Sequence, residues 1–171
     1  MNELYNACTL CPRKCHINRN LTTGICNNTS SIKVARSALH YFEEPSISGS
    51  NGSGTIFFSG CNLKCCYCQN KEISANNFGI NISIKRLSEL MLDLQSKKAN
   101  NINLVTPTHF VPSIIEAIKL ARRNGLTIPI VYNTSGYESV DTIKLLDGYV
   151  DIYLTDFKYF DNKLGEDLSK V

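Results

Sequence analysis

The chain has 171 residues, 43% of them hydrophobic and 19% charged, enough apolar material for one domain core with an appended module. A net charge of +3, spread along the sequence, excludes the concentrated basic face of a nucleic-acid binder, and no apolar run reaches membrane-spanning length. The start, Met1-Asn2-Glu3-Leu4-Tyr5-Asn6, has neither the basic end nor the apolar stretch of a signal peptide, so the expected location is the cytoplasm.

Residues 1–50 show little periodicity and are rich in Asn, Ser and Thr, which reads as a loop-rich module tied together by a metal. The spacing Cys8-x2-Cys11-x3-Cys15-x10-Cys26 supplies four ligands, enough for a tetrahedral zinc or an auxiliary iron-sulfur cluster, and thiolates alone do not choose between them. Arg13, Lys14 and Arg19 either offset the charge of such a site or form a solvated basic surface. Glu43 and Glu44 either face a site or hold their loop. The stretch Ser48-Gly49-Ser50-Asn51-Gly52-Ser53-Gly54 marks the domain boundary, with a core domain over 51–171.

Thr55-Ile56-Phe57-Phe58 is the first strand signal and leads into Cys61, Cys65 and Cys68. Ile84, Leu87, Leu90, Met91 and Leu94 then fall at helical spacing, with Ser83 placed to cap them. A strand over 102–105 ends at Thr106-Pro107. A helix follows from Pro112 to a stop at Gly125. A third strand over 128–132 carries Pro129 near its beginning, which is tolerable there. A short helix with Val140, Ile143 and Leu146 stops at Gly148, and a fourth strand covers 150–154. Four strand-helix alternations with short connections predict an α/β fold with parallel strands and outer helices.

Eight cysteines in a chain without a secretory signal favour metal binding over disulfides, because the cytosol keeps thiols reduced. Seven fall into the two ligand-spaced groups, which leaves Cys66 as a small packed residue. Three thiolates on one short loop hold three irons of a 4Fe-4S cubane and leave the fourth open to a substrate or cofactor; the bland reading is a zinc knuckle. Ligands of parallel α/β folds lie at the carboxyl ends of strands, which draws attention to Thr106 to His109, Asn133 to Gly136, and Asp156 to Lys158. His109 reads either as a polar contact or proton carrier there or as a solvent-facing loop residue. Asp156 and Lys158 read either as ligand contacts or as an exposed surface pair.

The loop Cys61-x3-Cys65-Cys66-Tyr67-Cys68, with an aromatic residue before its last cysteine, resembles the signature of the radical S-adenosylmethionine (radical SAM) enzymes. Cys8-Thr9-Leu10-Cys11-Pro12-Arg13-Lys14-Cys15, Glu43 through Gly49, and Cys61 through Asn70 together resemble a narrower group, the radical SAM proteins described as similar to pyruvate formate-lyase activating enzyme. Ser46 stands where that group is expected to carry a cysteine. The resemblance implies a partial (β/α) barrel of the radical SAM type with about six units, of which four are counted here, so the chain is expected to stop where a fifth begins, over Gly165 to Val171. It further implies S-adenosylmethionine as cofactor, with contacts from Thr106, His109, Asn133, Thr134, Asp156 and Lys158. Asn133-Thr134-Ser135-Gly136 is similar to the Asp-Thr-Asn-Gly stretch of the glycyl-radical activating enzymes, and Asp156-Phe157-Lys158 to their Asp-Leu-Lys. The Asn at 133 removes the charge on which a cation site of their kind would rest.

What the resemblance implies is an oxygen-sensitive oxidoreductase-like enzyme that cleaves S-adenosylmethionine reductively to a 5′-deoxyadenosyl radical for hydrogen abstraction. It extends to activation of a glycyl-radical enzyme, which would make the substrate a protein, and to an electron donor such as flavodoxin or ferredoxin. The rival reading is a non-catalytic metal-binding or adaptor protein, a zinc or iron-sulfur half-barrel remnant. An unpaired last strand would call for a second copy or a completing chain, because open edges are normally covered.

Overall fold

A six-stranded, mostly parallel sheet organises the protein, whose computed structural model describes residues 2–171. The strands are β1 (Ile32–His40), β2 (Ser53–Phe58), β3 (Ile80–Ile82), β4 (Ile102–Val105), β5 (Ile130–Thr134) and β6 (Ile152–Thr155). Their spatial order is β3-β1-β2-β4-β5-β6. The last four in that order run parallel, while β1 is antiparallel to both β2 and β3. The sheet is open, with β3 and β6 at its edges, as a partial β/α barrel requires.

Helices α1 (Pro45–Ser48), α2 (Lys71–Ser74), α3 (Ile84–Ser96), α4 (Val111–Arg123), α5 (Val140–Leu145) and α6 (Asn162–Ser169) fill the connections. α3 starts where expected, because the Ser83 hydroxyl accepts from the Arg86 N–H at 3.1 Å. α4 takes Pro112 into its first turn, where a missing N–H costs nothing.

Strand alternation decides which residues meet the helices. Ile56 and Phe58 of β2 and Ile102 and Leu104 of β4 turn one way, onto Leu87, Met91 and Leu94 of α3 and Ile114, Ala117, Ile118 and Ala121 of α4. Each Leu, Ile, Met or Phe side chain among them contributes roughly 1.5–3 kcal/mol on full burial. The odd-numbered residues, Thr55, Phe57, Asn103, Val105, Val131 and Asn133, take the opposite, concave face.

Strand structure begins earlier than the loop-rich reading of residues 1–50 anticipates. Ile32–His40 pairs with β2 along its length, so the sheet runs straight through the boundary drawn at residue 51. A polar and mixed composition hid β1, whose burial is only partial beyond Val34. Pro129 lies just before β5 rather than within it, and its carbonyl accepts from Ile102 N at 2.9 Å. Past β6, where the chain was expected to stop short of a fifth helix, α6 forms; Asp161 caps it by accepting from Lys163 N at 2.7 Å.

The amino-terminal segment docks on the core through specific polar contacts. The Tyr5 and Ser113 hydroxyls meet at 2.9 Å, Thr142 Oγ1 donates to the Leu10 carbonyl at 2.7 Å, and Asn28 Nδ2 donates to the Ser59 carbonyl at 2.7 Å. These fasten the module beside the carboxyl ends of β2 and β4.

Candidate functional site: a cysteine loop at the strand ends

The three cysteines follow β2 on a loop that is tied down along its length. Lys64 N and Cys66 N donate to the carbonyls of Ser169 and Leu168, both at 2.9 Å, so α6 backs the loop. Gly60 permits the entry: its φ is +78°, and any Cβ there would run into the Cys26 carbonyl and the Asn28 carboxamide. The cysteine loop and the amino-terminal module therefore pack backbone to backbone.

Each of the three sulfurs has a polar neighbour. Cys61 Sγ accepts from Leu63 N at 3.4 Å, Cys65 Sγ accepts from Ser169 Oγ at 2.8 Å, and Cys68 Sγ meets Ser74 Oγ at 3.1 Å. Burial pushes the Cys61 thiol up to about 11, and the nearby Cys65 and Cys68 add to this. Such a loop disfavours bare thiolates and calls for cationic metal to hold three of them. Cys66 points to solvent, which corrects the expectation of a packed residue: its neighbours' sulfurs turn inward and leave it the outer side.

A cavity of about 630 Å³ opens beside this loop at the carboxyl ends of the parallel strands. Cys61, Cys65 and Cys68 line it together with Thr106, Asn133, Thr134, Asp156 and Lys158. Thr106 sits there with φ +56°, a left-handed conformation that strains a β-branched residue, and its N–H is held by the Asn133 carbonyl at 3.0 Å. Lys158 Nζ donates to Asp156 Oδ2 at 2.6 Å, and both remain open to the cavity.

His109 goes elsewhere. It is 2% exposed and turns away from the cavity; its Nε2 donates to the Ser59 carbonyl at 2.8 Å and its own carbonyl accepts from Arg19 Nη1 at 2.5 Å. Burial and then the Arg19 charge lower its pKa to about 3, so the ring is neutral. It latches the loop after β4 to the loop after β2.

Glu138 carried no local signal, and the surroundings of Arg19 and Glu43 were not legible from their neighbours. Glu138 is half-buried, and its carboxylate accepts from Thr108 Oγ1 at 2.6 Å, Tyr132 OH at 3.3 Å and Thr134 Oγ1, gathering the loops after β4 and β5; desolvation raises its pKa. Arg19 is fully buried. It donates to the carbonyls of Asn28 at 3.1 Å, Thr29 at 2.6 Å and His109, and lies over the rings of Tyr5 and Phe110. Glu43 lines the cavity while Glu44 faces solvent, so only the first of the pair faces the site.

The amino-terminal quartet is also brought together. Cys8, Cys11 and Cys26 are buried and Cys15 is half-buried. Cys11 is lifted to about 11, mainly by burial and in smaller part by the other three thiols. Arg19 Nη1 points at Cys8 Sγ from 3.9 Å.

Among the described residues no three His, Cys, Asp or Glu side chains converge on a single metal-ion position. A cubane asks for something else, since each thiolate binds its own iron. Three inward sulfurs on one loop, beside a cavity with room for a ligand, fit that donor set.

Residues 55–170 match the sequence model of the Radical SAM superfamily, a span that starts in β2 and takes in the cysteine loop and every strand-end residue above. The chain belongs to this superfamily, which implies a 4Fe-4S cluster and S-adenosylmethionine. It is also 36% identical over 177 residues to a protein of Methanocaldococcus jannaschii described as uncharacterized. That match takes in 99% of this chain and 50% of the relative, so the chain spans half the relative's length. No helix among the described residues is long and apolar enough to cross a membrane.

Proposed function

We propose that the protein is a radical SAM enzyme in which Cys61, Cys65 and Cys68 hold the cluster and the ends of β4, β5 and β6 hold S-adenosylmethionine for hydrogen-atom abstraction. The observation that carries this is the single cavity lined by all three cysteines and by Thr106, Asn133, Thr134, Asp156 and Lys158. When bound and reduced, the cluster supplies the electron that cleaves S-adenosylmethionine to methionine and a 5′-deoxyadenosyl radical.

The chain's own residues position and shield. In this reading Lys158 meets the carboxylate of the methionine moiety, and Asp156 the ribose or the ammonium group. Asn133 and Thr134 offer neutral polar contacts beside them. Glu138 keeps Thr134 and the loop after β4 in place through its hydrogen bonds. Phe57, Phe58, Leu63 and Val105 give the cavity apolar walls that exclude water from reactive species.

In this reading the substrate is a protein glycine, as in activation of a glycyl-radical enzyme, and the electron comes from a cytoplasmic flavodoxin or ferredoxin. The likeness to the pyruvate formate-lyase activating group over Cys8–Cys15 and Cys61–Asn70 supports this. A second metal at Cys8, Cys11, Cys15 and Cys26 belongs to the same proposal, with an auxiliary cluster favoured over zinc because no three of the described side chains converge on one metal-ion position. Its support is Arg19: a buried guanidinium with no carboxylate in ion-pair reach among the described residues, aimed at Cys8, is balanced when the four sulfurs are metal-bound thiolates.

The test is anaerobic reconstitution with iron and sulfide, followed by dithionite and S-adenosylmethionine. We expect brown protein that forms 5′-deoxyadenosine, and loss of both the product and cavity-loop iron in Cys65→Ala. Competently reduced protein that forms none overturns the catalytic reading.

A further inference from the structure

Three hydroxyls from three separate segments join into one chain that ends on a sulfur of the cysteine loop. Tyr67, on the loop itself, meets the Tyr159 hydroxyl; Tyr159, between β6 and α6, meets Ser169 Oγ; and Ser169 Oγ donates to Cys65 Sγ at 2.8 Å. Cys65 lines the cavity, whereas Ser169 is fully buried and does not, so this hydroxyl reaches the sulfur from within the protein rather than from the open space.

The donor is held by tertiary contacts alone. Ser169 lies 104 residues beyond Cys65, at the last turn of α6. Backbone bonds fix it against the loop: Lys64 N donates to the Ser169 carbonyl and Cys66 N to the Leu168 carbonyl, both at 2.9 Å.

The direction of the chain follows from its end. A metal-bound thiolate accepts and cannot donate, so the Ser169 proton goes to the sulfur. The serine oxygen then accepts from Tyr159, and the Tyr159 oxygen from Tyr67. All three O–H groups point toward Cys65, and bonds in such a chain polarise one another. Tyr67, 50% exposed, brings the outer end to the surface.

We propose that Ser169 and Tyr159 are positioning residues that act through Cys65 to set the reduction potential of the cluster on this loop, with Tyr67 as the outer member. Reduction adds one electron to a centre whose negative charge is shared with its thiolates. A hydrogen bond into a thiolate stabilises the more negative, reduced state more than the oxidised one, so the hydroxyl chain raises the potential and eases electron entry. Cys61 and Cys68 have their polar neighbours close in sequence, Leu63 N and Ser74 Oγ; Cys65 is where a distant helix acts on the centre. The inference rests on the reading of Cys61, Cys65 and Cys68 as cluster ligands and deepens it by naming what tunes that site.

The experiment is a redox titration of the anaerobically reconstituted full chain with dithionite, followed by electron paramagnetic resonance. The signal of the loop cluster is the one absent from Cys65→Ala. In Ser169→Ala we expect about tenfold weaker reduction at a fixed solution potential, the value of one hydrogen bond to a charged group, which is a fall of about 59 mV for one electron. A solvent-exchangeable proton coupled to the wild-type cluster should vanish in the same variant. Tyr159→Phe keeps the ring that packs beside Gly165 and should lower the potential by a smaller amount, and Tyr67→Phe by the least.

Ser169→Ala that holds its cluster at an unchanged or higher potential overturns the proposal. If that variant loses the cluster, Tyr159→Phe decides: a full iron load with a lowered potential supports the hydroxyl chain, while an unmoved potential, or loss of iron there too, overturns it. A wild type that forms no cluster overturns the reading of the loop itself and this inference with it. Iron and 5′-deoxyadenosine are scored separately from the potential, so the two failures are distinguishable.

Discussion

His109 shows what burial does to a residue whose type suggests chemistry. Its neutral ring donates one hydrogen bond to the Ser59 carbonyl, and its pKa lies at about 3, below the ordinary 6.5. The unfolded chain binds a proton at this position below pH 6.5 while the folded chain refuses it. Stability from this residue is therefore fully present above pH 6.5 and is lost progressively as pH falls toward 3. Between pH 7 and pH 5 we expect a loss of about 2 kcal/mol on top of the carboxylate background. His109→Gln, which keeps a donor for Ser59, should flatten that slope in urea melts; an unchanged slope refutes the buried-neutral assignment. The cysteine loop was readable in the sequence because its spacing is local. His109 was not, because its role is defined by Ser59 and Arg19, residues 50 and 90 positions away. Glu138 was silent for the same reason, and Arg19, legible as a cation, gave no sign of its burial.

At the scale of elements, the decisive junction is the loop between β2 and α2, held from one side by α6 and from the other by the amino-terminal module. Gly60 is where the module's backbone touches it, through Cys26 and Asn28. Gly60→Ala must displace one of these segments and leave the left-handed conformation, at about 2–4 kcal/mol. We expect a lowered melting temperature together with reduced iron at the cavity loop, whereas Gly125→Ala, with nothing near its Cβ position, should cost only the backbone strain and leave iron unchanged. α3, α4 and the four parallel strands were readable from apolar period and from caps such as Ser83. β1, β3 and α6 were not. β1 is half-buried and mixed in composition, β3 is three residues long, and α6 is fixed by the Asp161 cap and by the contacts of Lys64 and Cys66 rather than by a strong apolar stripe.

For the molecule as a whole, the β6 edge of the open sheet stands out. Ile152 and Tyr153 are partly exposed there, and Phe157 and Phe160 beyond it are 83% and 98% exposed. An unpaired edge flanked by exposed aromatic residues favours pairing with another chain. Light scattering of the isolated 171-residue chain should give a mass above 19.1 kDa that rises with concentration, and Tyr153→Lys should return it to the monomer. A monomer at all concentrations refutes this. The sequence by itself determined the parallel α/β class, the three-cysteine loop beside the strand ends and the strand-end positions of Thr106, Asn133, Asp156 and Lys158, because apolar period, cysteine spacing and strand ends are properties of a few neighbouring residues. Only the tertiary structure decided that β1 belongs to the sheet, that His109 serves as a latch and Arg19 as a buried cation, and that Glu43 rather than Glu44 lines the cavity. Those outcomes depend on register and on contacts between distant segments, which no local pattern encodes.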